Sequence, residues 1–383
     1  MTNRGHREYE ALIGSPPEKS LREVRLRSPR MYDVLVELGF GGILAYGGLS
    51  RAAREIATVA ILAAIGGAEA QLTVHVKAAL RAGVSPPELL ALCEHVAGYA
   101  GFPRGLNALA VVDGVLGDAD VPRPATLSRI GLTDHETLVA RRGEDGPPVL
   151  LVHALGLDWR MWEPIMPRLS AGRRVYAYDV RGHGHAAGAP VPRTMADTGA
   201  DLVNVLDALG LDRAHVVGLS YGGAIAQTAA VTAPQRFASL SLLATTDQAF
   251  DVFEGRARSA EADGMAAQVI PSLTRWFTPA ALAANAWGVR YARECVLRGE
   301  PADWAGAWRA FQHFEVRERL GGLDLPALVL DGELDASAPP GLMAAIAERI
   351  PGAVYRRLPG APHMQTLETA DLVADALEEF LPL

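Results

Sequence analysis

Residues 214–226 read Ala214-His215-Val216-Val217-Gly218-Leu219-Ser220-Tyr221-Gly222-Gly223-Ala224-Ile225-Ala226. An apolar run of strand type ends in Gly-x-Ser-x-Gly and passes directly into a helix of small residues. Such an elbow lifts one hydroxyl out of the backbone into an exposed position. Gly218 and Gly222 are needed because side chains there would collide with the flanking strand and helix. A helix starting just after Ser220 points its N-terminal amides at the serine and favours negative charge there. The five-residue pattern alone arises readily in a chain with 39 glycines. The strand before it and the helix after it are what single it out.

Working outward from the elbow, strands and helices alternate from residue 126 to the end, as in a largely parallel sheet covered on both faces. The strand candidates are Thr137–Arg141, Pro148–His153, Arg174–Asp179, His215–Leu219, Leu240–Ala244, Ala327–Asp331 and Val354–Leu358. About eighty residues without strand character separate the fifth from the sixth. They predict a helical insertion over about 246–320 that caps the active-site face.

A serine nucleophile needs a base, an acid to orient that base and donors for the oxyanion. In this architecture the acid and then the histidine follow the serine. Asp335 follows the strand Ala327–Asp331, where functional groups of open α/β sheets gather. Asp331, still within the strand, is the alternative. His363, in Leu358-Pro359-Gly360-Ala361-Pro362-His363, leaves the last strand and fits the base position. His153 and His183 precede the serine, and His313 lies in the insertion. The oxyanion donors are expected to be the amides of Tyr221 and Leu155, the latter in the loop after Pro148–His153.

Upstream, residues 21–116 show helical patterning throughout, and residues 1–20 read as a polar arm. Ser50 is a plausible N-cap for the apolar stripe over 51–64, which suggests a buried helix. Ser85-Pro86-Pro87-Glu88 combines an N-cap, prolines in the first turn and a capping-box glutamate. A Pro-containing polar stretch, residues 117–124, marks the boundary, giving a helical domain over 1–122 and an α/β domain over 123–383.

The bulk properties limit the function classes. Hydrophobic residues are 49% and charged residues 21% of 383, an ordinary globular composition. A net charge of −8 disfavours nucleic acid as a partner. No run of eighteen apolar residues predicts a membrane span. Two distant cysteines, Cys93 and Cys295, give neither a disulfide framework nor a zinc pattern and fit a reducing cytoplasm. With no ligand cluster or phosphate loop, neither a metal nor an organic cofactor is expected.

With these motifs in place, residues from about 126 onward resemble an α/β-hydrolase. Gly156-Leu157-Asp158-Trp159-Arg160-Met161-Trp162, the elbow, and Trp276-Phe277-Thr278-Pro279 resemble the 3-oxoadipate enol-lactonase branch in particular. Tyr221 departs from that branch, which usually carries Met at this expected floor of the site. The resemblance implies a small lactone bearing a carboxylate as the partner of Ser220, with Trp276 in the binding site. Arg160 is the leading cation for that carboxylate, with Arg275 and Arg290 behind it.

Residues 20–117 resemble the carboxymuconolactone decarboxylase family. His75…Ala79…Gly83, Ser85-Pro86-Pro87-Glu88-Leu89 and Tyr99-Ala100-Gly101-Phe102-Pro103 carry the likeness. Related alkylhydroperoxidase-D-like proteins place a Cys-x-x-Cys where this chain has Ala68 and Gln71, which removes thiol peroxidase chemistry. What remains is a Glu55/His75 pair able to relay a proton, with Glu94 and His95 as further polar groups. The two resemblances together imply decarboxylation of γ-carboxymuconolactone followed by opening of the enol-lactone to 3-oxoadipate. They also imply a homo-oligomer built through the helical domain. Two alternatives stay open: a lactonase or esterase of another pathway, biosynthetic ones included, and a helical domain that assembles without chemistry.

Overall fold

The computed structural model describes residues 4–45, 48–120, 125–338 and 341–383, and for residues 118–120 the backbone only. The chain divides into two compact units, 1–123 and 124–383. Residues 121–124, inside the expected boundary stretch, lie outside the described residues, as do Pro339 and Pro340.

The first unit is helical. Its main helices are α1 (Arg4–Ile13), α2 (Arg51–Ile65), α3 (Glu69–Arg81), α4 (Pro86–Ala100) and α5 (Phe102–Asp120). The polar arm expected over 1–20 is instead largely helix. Tyr9 and Leu12 of α1 are buried with Phe40 and Ala78, so one face of this polar segment is apolar enough to pack. Within the helical patterning of residues 21–116, Val34–Leu44 forms a wide-turned π-helix. Helix α2 starts at the expected cap, where Ser50 Oγ accepts from the Ala53 amide. It is not a buried helix, however. Only Glu55, Val59 and Ala63 are fully buried; Ile56, Ala60 and Leu62 are half-buried against the core, while Ile61 and Ile65 are exposed. The Ser85/Glu88 capping box at α4 is complete in both directions.

The second unit is built on an eight-stranded sheet in the order β1-β2-β4-β3-β5-β6-β7-β8. The strands are β1 (Thr126–Gly131), β2 (Glu136–Arg142), β3 (Pro148–Val152), β4 (Arg174–Tyr178), β5 (Ala214–Leu219), β6 (Phe237–Leu243), β7 (Ala327–Gly332) and β8 (Val354–Leu358). The β1–β2 and β2–β4 pairs are antiparallel and every other pair is parallel. Strand β5 is buried along its whole length, as a central strand covered on both faces must be.

Strand β1 escapes the sequence reading. It is an edge strand exposed at nearly every residue, so no buried face imposes an apolar alternation on it. Covering helices are α6 (Met195–Ala208), α7 (Tyr221–Thr232), α12 (Leu342–Arg349) and α13 (Ala370–Phe380). Between β6 and β7 lie the insertion helices α8 (Val252–Trp276), α9 (Pro279–Ala284), α10 (Trp287–Arg298) and α11 (Pro301–Gln312).

Candidate active site

Ser220 stands between β5 and α7 with φ 56° and ψ −116°, a conformation that costs a non-glycine residue energy. Its neighbours hold it there. The Ser220 amide donates to Leu243 O at 2.9 Å, and Thr245 Oγ1 donates to Ser220 O at 2.6 Å. A methyl group on Gly218 would come within 2.3 Å of Gly222 O, and one on Gly222 within 2.1 Å of Val152 O. Both glycines are therefore required by close backbone approach.

Three residues far apart in sequence meet here. His363 Nε2 lies 2.9 Å from Ser220 Oγ, and His363 Nδ1 lies 2.9 and 3.0 Å from the two Asp335 oxygens. Asp335 also accepts the Ser337 amide at 2.7 Å and the Ala338 amide at 3.3 Å. Burial by itself would raise the Asp335 pKa. The His363 partner and the two amides outweigh it, so the carboxyl is held below its ordinary value. Asp331 takes the Tyr355 hydroxyl at 2.8 Å instead and belongs to a separate contact.

His153, at the end of β3, is buried and holds the backbone of the Leu155 loop. Its Nδ1 donates to Ala154 O at 2.8 Å, and its Nε2 accepts the Val180 amide at 2.8 Å. Burial pushes its pKa down to about 3, so the ring is neutral, as this pair of bonds requires. Because the peptide is planar and trans, anchoring Ala154 C=O also fixes the direction of the Leu155 N–H. Leu155 lines a cavity with Ser220 and His363.

That cavity, of about 50 Å³, is lined in part by the rings of Phe250, Phe253, Trp276, Trp308 and Phe311. The insertion is tied to the loop carrying His363. Met364 N donates to Trp276 O at 3.0 Å, and Thr278 N donates to Glu368 at 3.0 Å.

Several expected site residues stand elsewhere. The Tyr221 side chain does not line this cavity. It is 1% exposed and packs edge-on against Phe311, which does line it. Arg160 is also absent from it. It grips Asp158 with Nη2 at 2.7 Å, lies 5.1 Å over the Tyr291 ring and borders a different cavity. The reason is local, since Asp158 caps the Trp159–Trp162 turn and draws the guanidinium two residues on back to itself. Arg290 donates to Asn285 O and is not among the residues lining the Ser220 cavity. Arg275 does line it, together with Arg256, which sequence reasoning missed. No motif marks Arg256, and only the path of α8 brings it there.

In the helical unit, His75 Nδ1 lies 2.8 Å from Glu55 Oε2, with Glu55 1% and His75 22% exposed. Glu55 Oε1 has no partner among the described residues. Glu94 and His95 do not join this pair. They are exposed on α4, where the His95 ring lies against Tyr99. Asp134, His135 and Asp201 cluster in the other unit, but Arg181 bonds both aspartates, which accounts for the cluster as an ion-pair network.

Comparison with known proteins agrees with this architecture. Residues 147–370 match the family model for the alpha/beta hydrolase fold, and residues 29–114 match that of the carboxymuconolactone decarboxylase family. The chain is 30% identical to 3-oxoadipate enol-lactonase 1 of Acinetobacter baylyi, covering 50% of this chain and 73% of that protein. It is 31% identical to a pimeloyl-[acyl-carrier protein] methyl ester esterase of Methylococcus capsulatus, covering 62% and 95%. The crystal structure of the enol-lactonase from Burkholderia xenovorans LB400 superposes with a TM-score of 0.63 at 29% identity, covering 66% of this chain and 99% of that one.

Proposed function

The chain belongs to the α/β-hydrolase family and carries a carboxymuconolactone decarboxylase-family domain ahead of the hydrolase, and from that premise we propose that it opens a small carboxylate-bearing lactone at Ser220. The 2.9 Å approach of His363 Nε2 to Ser220 Oγ carries this reading. The Ser220 hydroxyl attacks the lactone carbonyl while His363 Nε2 takes its proton. Asp335 holds the Nδ1–H and stabilises the imidazolium that forms. The Leu155 and Tyr221 amides receive the charge that develops on the carbonyl oxygen. The ring oxygen receives that proton from His363, which returns His363 to its neutral form, and leaves as an enol that tautomerises to a ketone. Water, deprotonated by His363, then releases the acid. Similarity to an enol-lactonase favours 3-oxoadipate enol-lactone within this class, while the esterase relative makes a simple ester the second reading.

The Glu55–His75 pair supports a preceding step in the helical domain. There a protonated His75 binds the carboxylate of γ-carboxymuconolactone and reprotonates the carbanion left when CO2 departs. Exposed Ile61 and Ile65 on α2 support assembly of this domain with further copies of the chain. The reading places the enzyme in aromatic catabolism in the cytoplasm, without a cofactor.

The test uses the full chain and a fluorophosphonate probe alongside 3-oxoadipate enol-lactone. Labelling is expected at Ser220, and Ser220→Ala should lose about 10⁴-fold or more in kcat. Labelling at another residue, or turnover by Ser220→Ala at the wild-type rate, would refute the assignment.

A further inference from the structure

We infer that Arg256 and Arg275 form a two-guanidinium subsite that binds the carboxylate of an anionic ester or lactone beside Ser220 and so selects acidic substrates. The inference rests on the reading of Ser220 as nucleophile and adds the residues that choose its substrate.

Both arginines line the cavity that holds Ser220 and His363, and among the described residues lining it none is acidic. Several buried or half-buried arginines elsewhere in this unit are paired with carboxylates. Arg160 pairs with Asp158, Arg168 with Glu378, Arg181 with Asp201, Arg309 with Glu261 and Arg317 with Glu315. Arg256 and Arg275 have no carboxylate partner among the described residues. Arg275 Nε is buried without any hydrogen-bond partner. The Arg256 guanidinium lies 4.7 Å over the Trp308 ring and 5.7 Å over that of Phe253, contacts that hold its plane and leave its N–H edge unused.

Placing two such cations in one cavity lined in part by aromatic rings is unfavourable without an anion. Burial, and after it the charge of Arg275, pushes Arg256 down to about 10. Burial likewise lowers Arg275. Carboxylate binding relieves this cost and uses the paired N–H geometry of guanidinium.

The backbone is shaped to bring the two together. Nineteen residues apart on a straight helix, they would be separated by about 28 Å. Helix α8 is broken at Gly264, with φ 75° and ψ 177°, and contains Pro271. The break lets both of its arms contribute to one cavity.

The test compares two esters of equal acyl length on the full chain, neutral 4-nitrophenyl butyrate and anionic mono-4-nitrophenyl succinate. Wild type should prefer the anion in kcat/KM. Arg256→Gln and Arg275→Gln should each reduce that preference about tenfold, chiefly through KM of the anionic ester, as expected for losing a charged hydrogen bond. Arg275→Lys, which keeps the charge but not the fork, should lose part of it. Calorimetric binding of adipate to Ser220→Ala should weaken in parallel when either arginine is replaced. An ester preference unchanged by the substitutions, or adipate binding indifferent to them, overturns the subsite. If wild type turns over neither ester, fluorophosphonate labelling decides the nucleophile and adipate binding decides the arginines. If the Gln variants do not fold, the Lys variants carry the same comparison.

Discussion

The carbonyl of Ala154 accepts both His153 Nδ1 at 2.8 Å and the Leu157 amide at 3.2 Å. Neither donor is expected to touch substrate, yet together they aim the Leu155 N–H on which the proposed oxyanion pocket depends. His153→Gln should therefore lower kcat about tenfold to a hundredfold with little change in KM, since one oxyanion donor is worth about 10²–10³ and here it is displaced, not removed. An unchanged kcat would show that the loop holds itself. The same histidine sets a pH dependence. An unfolded chain binds its proton near 6.5, while the folded chain does so only near 3. Between those values the unfolded state binds more protons, so stability falls as pH falls, by up to about 1.4 kcal/mol per unit. Thermal melts from pH 7 to pH 4.5 should show a shallower decline in His153→Gln than in wild type.

Helix α8 shows how an element can matter more through its interruption than its length. At Gly264 the backbone lies where only glycine is comfortable, so Gly264→Ala should cost about 1–3 kcal/mol. It should also disturb the approach of Arg256 to Arg275. A lower Tm together with a raised KM for an anionic ester is the expected outcome, and a lower Tm with unaltered KM would separate the break from substrate binding. The far end of α8 is fixed differently. Trp276 O receives the Met364 amide, and Thr278 bonds Glu368 through both its amide and its hydroxyl. These bonds place the Trp276 wall and His363 on one connected piece of structure, so the insertion is anchored beside His363.

The whole molecule carries two polar pairs of opposite character in separate units: a serine hydroxyl 2.9 Å from a histidine, and a half-exposed histidine on a buried glutamate. If each performs its own step, the steps separate by substitution in the full chain. Supplied with γ-carboxymuconolactone, His75→Ala should release no CO2 yet still open added enol-lactone. Ser220→Ala should release CO2 and accumulate the lactone. Following CO2 and 3-oxoadipate independently distinguishes these outcomes. Release of CO2 by His75→Ala at the wild-type rate would remove that residue from the chemistry and favour an assembling role for the helical unit.

The sequence by itself determined the elements whose signals are local. The elbow around Ser220 is read from two glycines, an apolar strand and a helix of small residues. Seven of the eight strands follow from apolar runs, and the Ser85 capping box from four adjacent residues. Chain order singled out His363 and favoured Asp335 over Asp331, because in this architecture the acid and the base leave successive strand ends. Strand β1 was illegible because backbone pairing with β2 holds it without burying a face. Tertiary structure alone decided which cations reach the cavity. Arg160 has a suggestive position in sequence, but Asp158 two residues away captures it. Arg256 sits in an unremarkable stretch and comes to line the Ser220 cavity from a helix that breaks at Gly264. Tyr221 likewise sits in the motif, but the turn of α7 directs its ring into the core behind Phe311. A side chain's direction and partner depend on what packs against it, and that is fixed only when segments distant in sequence fold together.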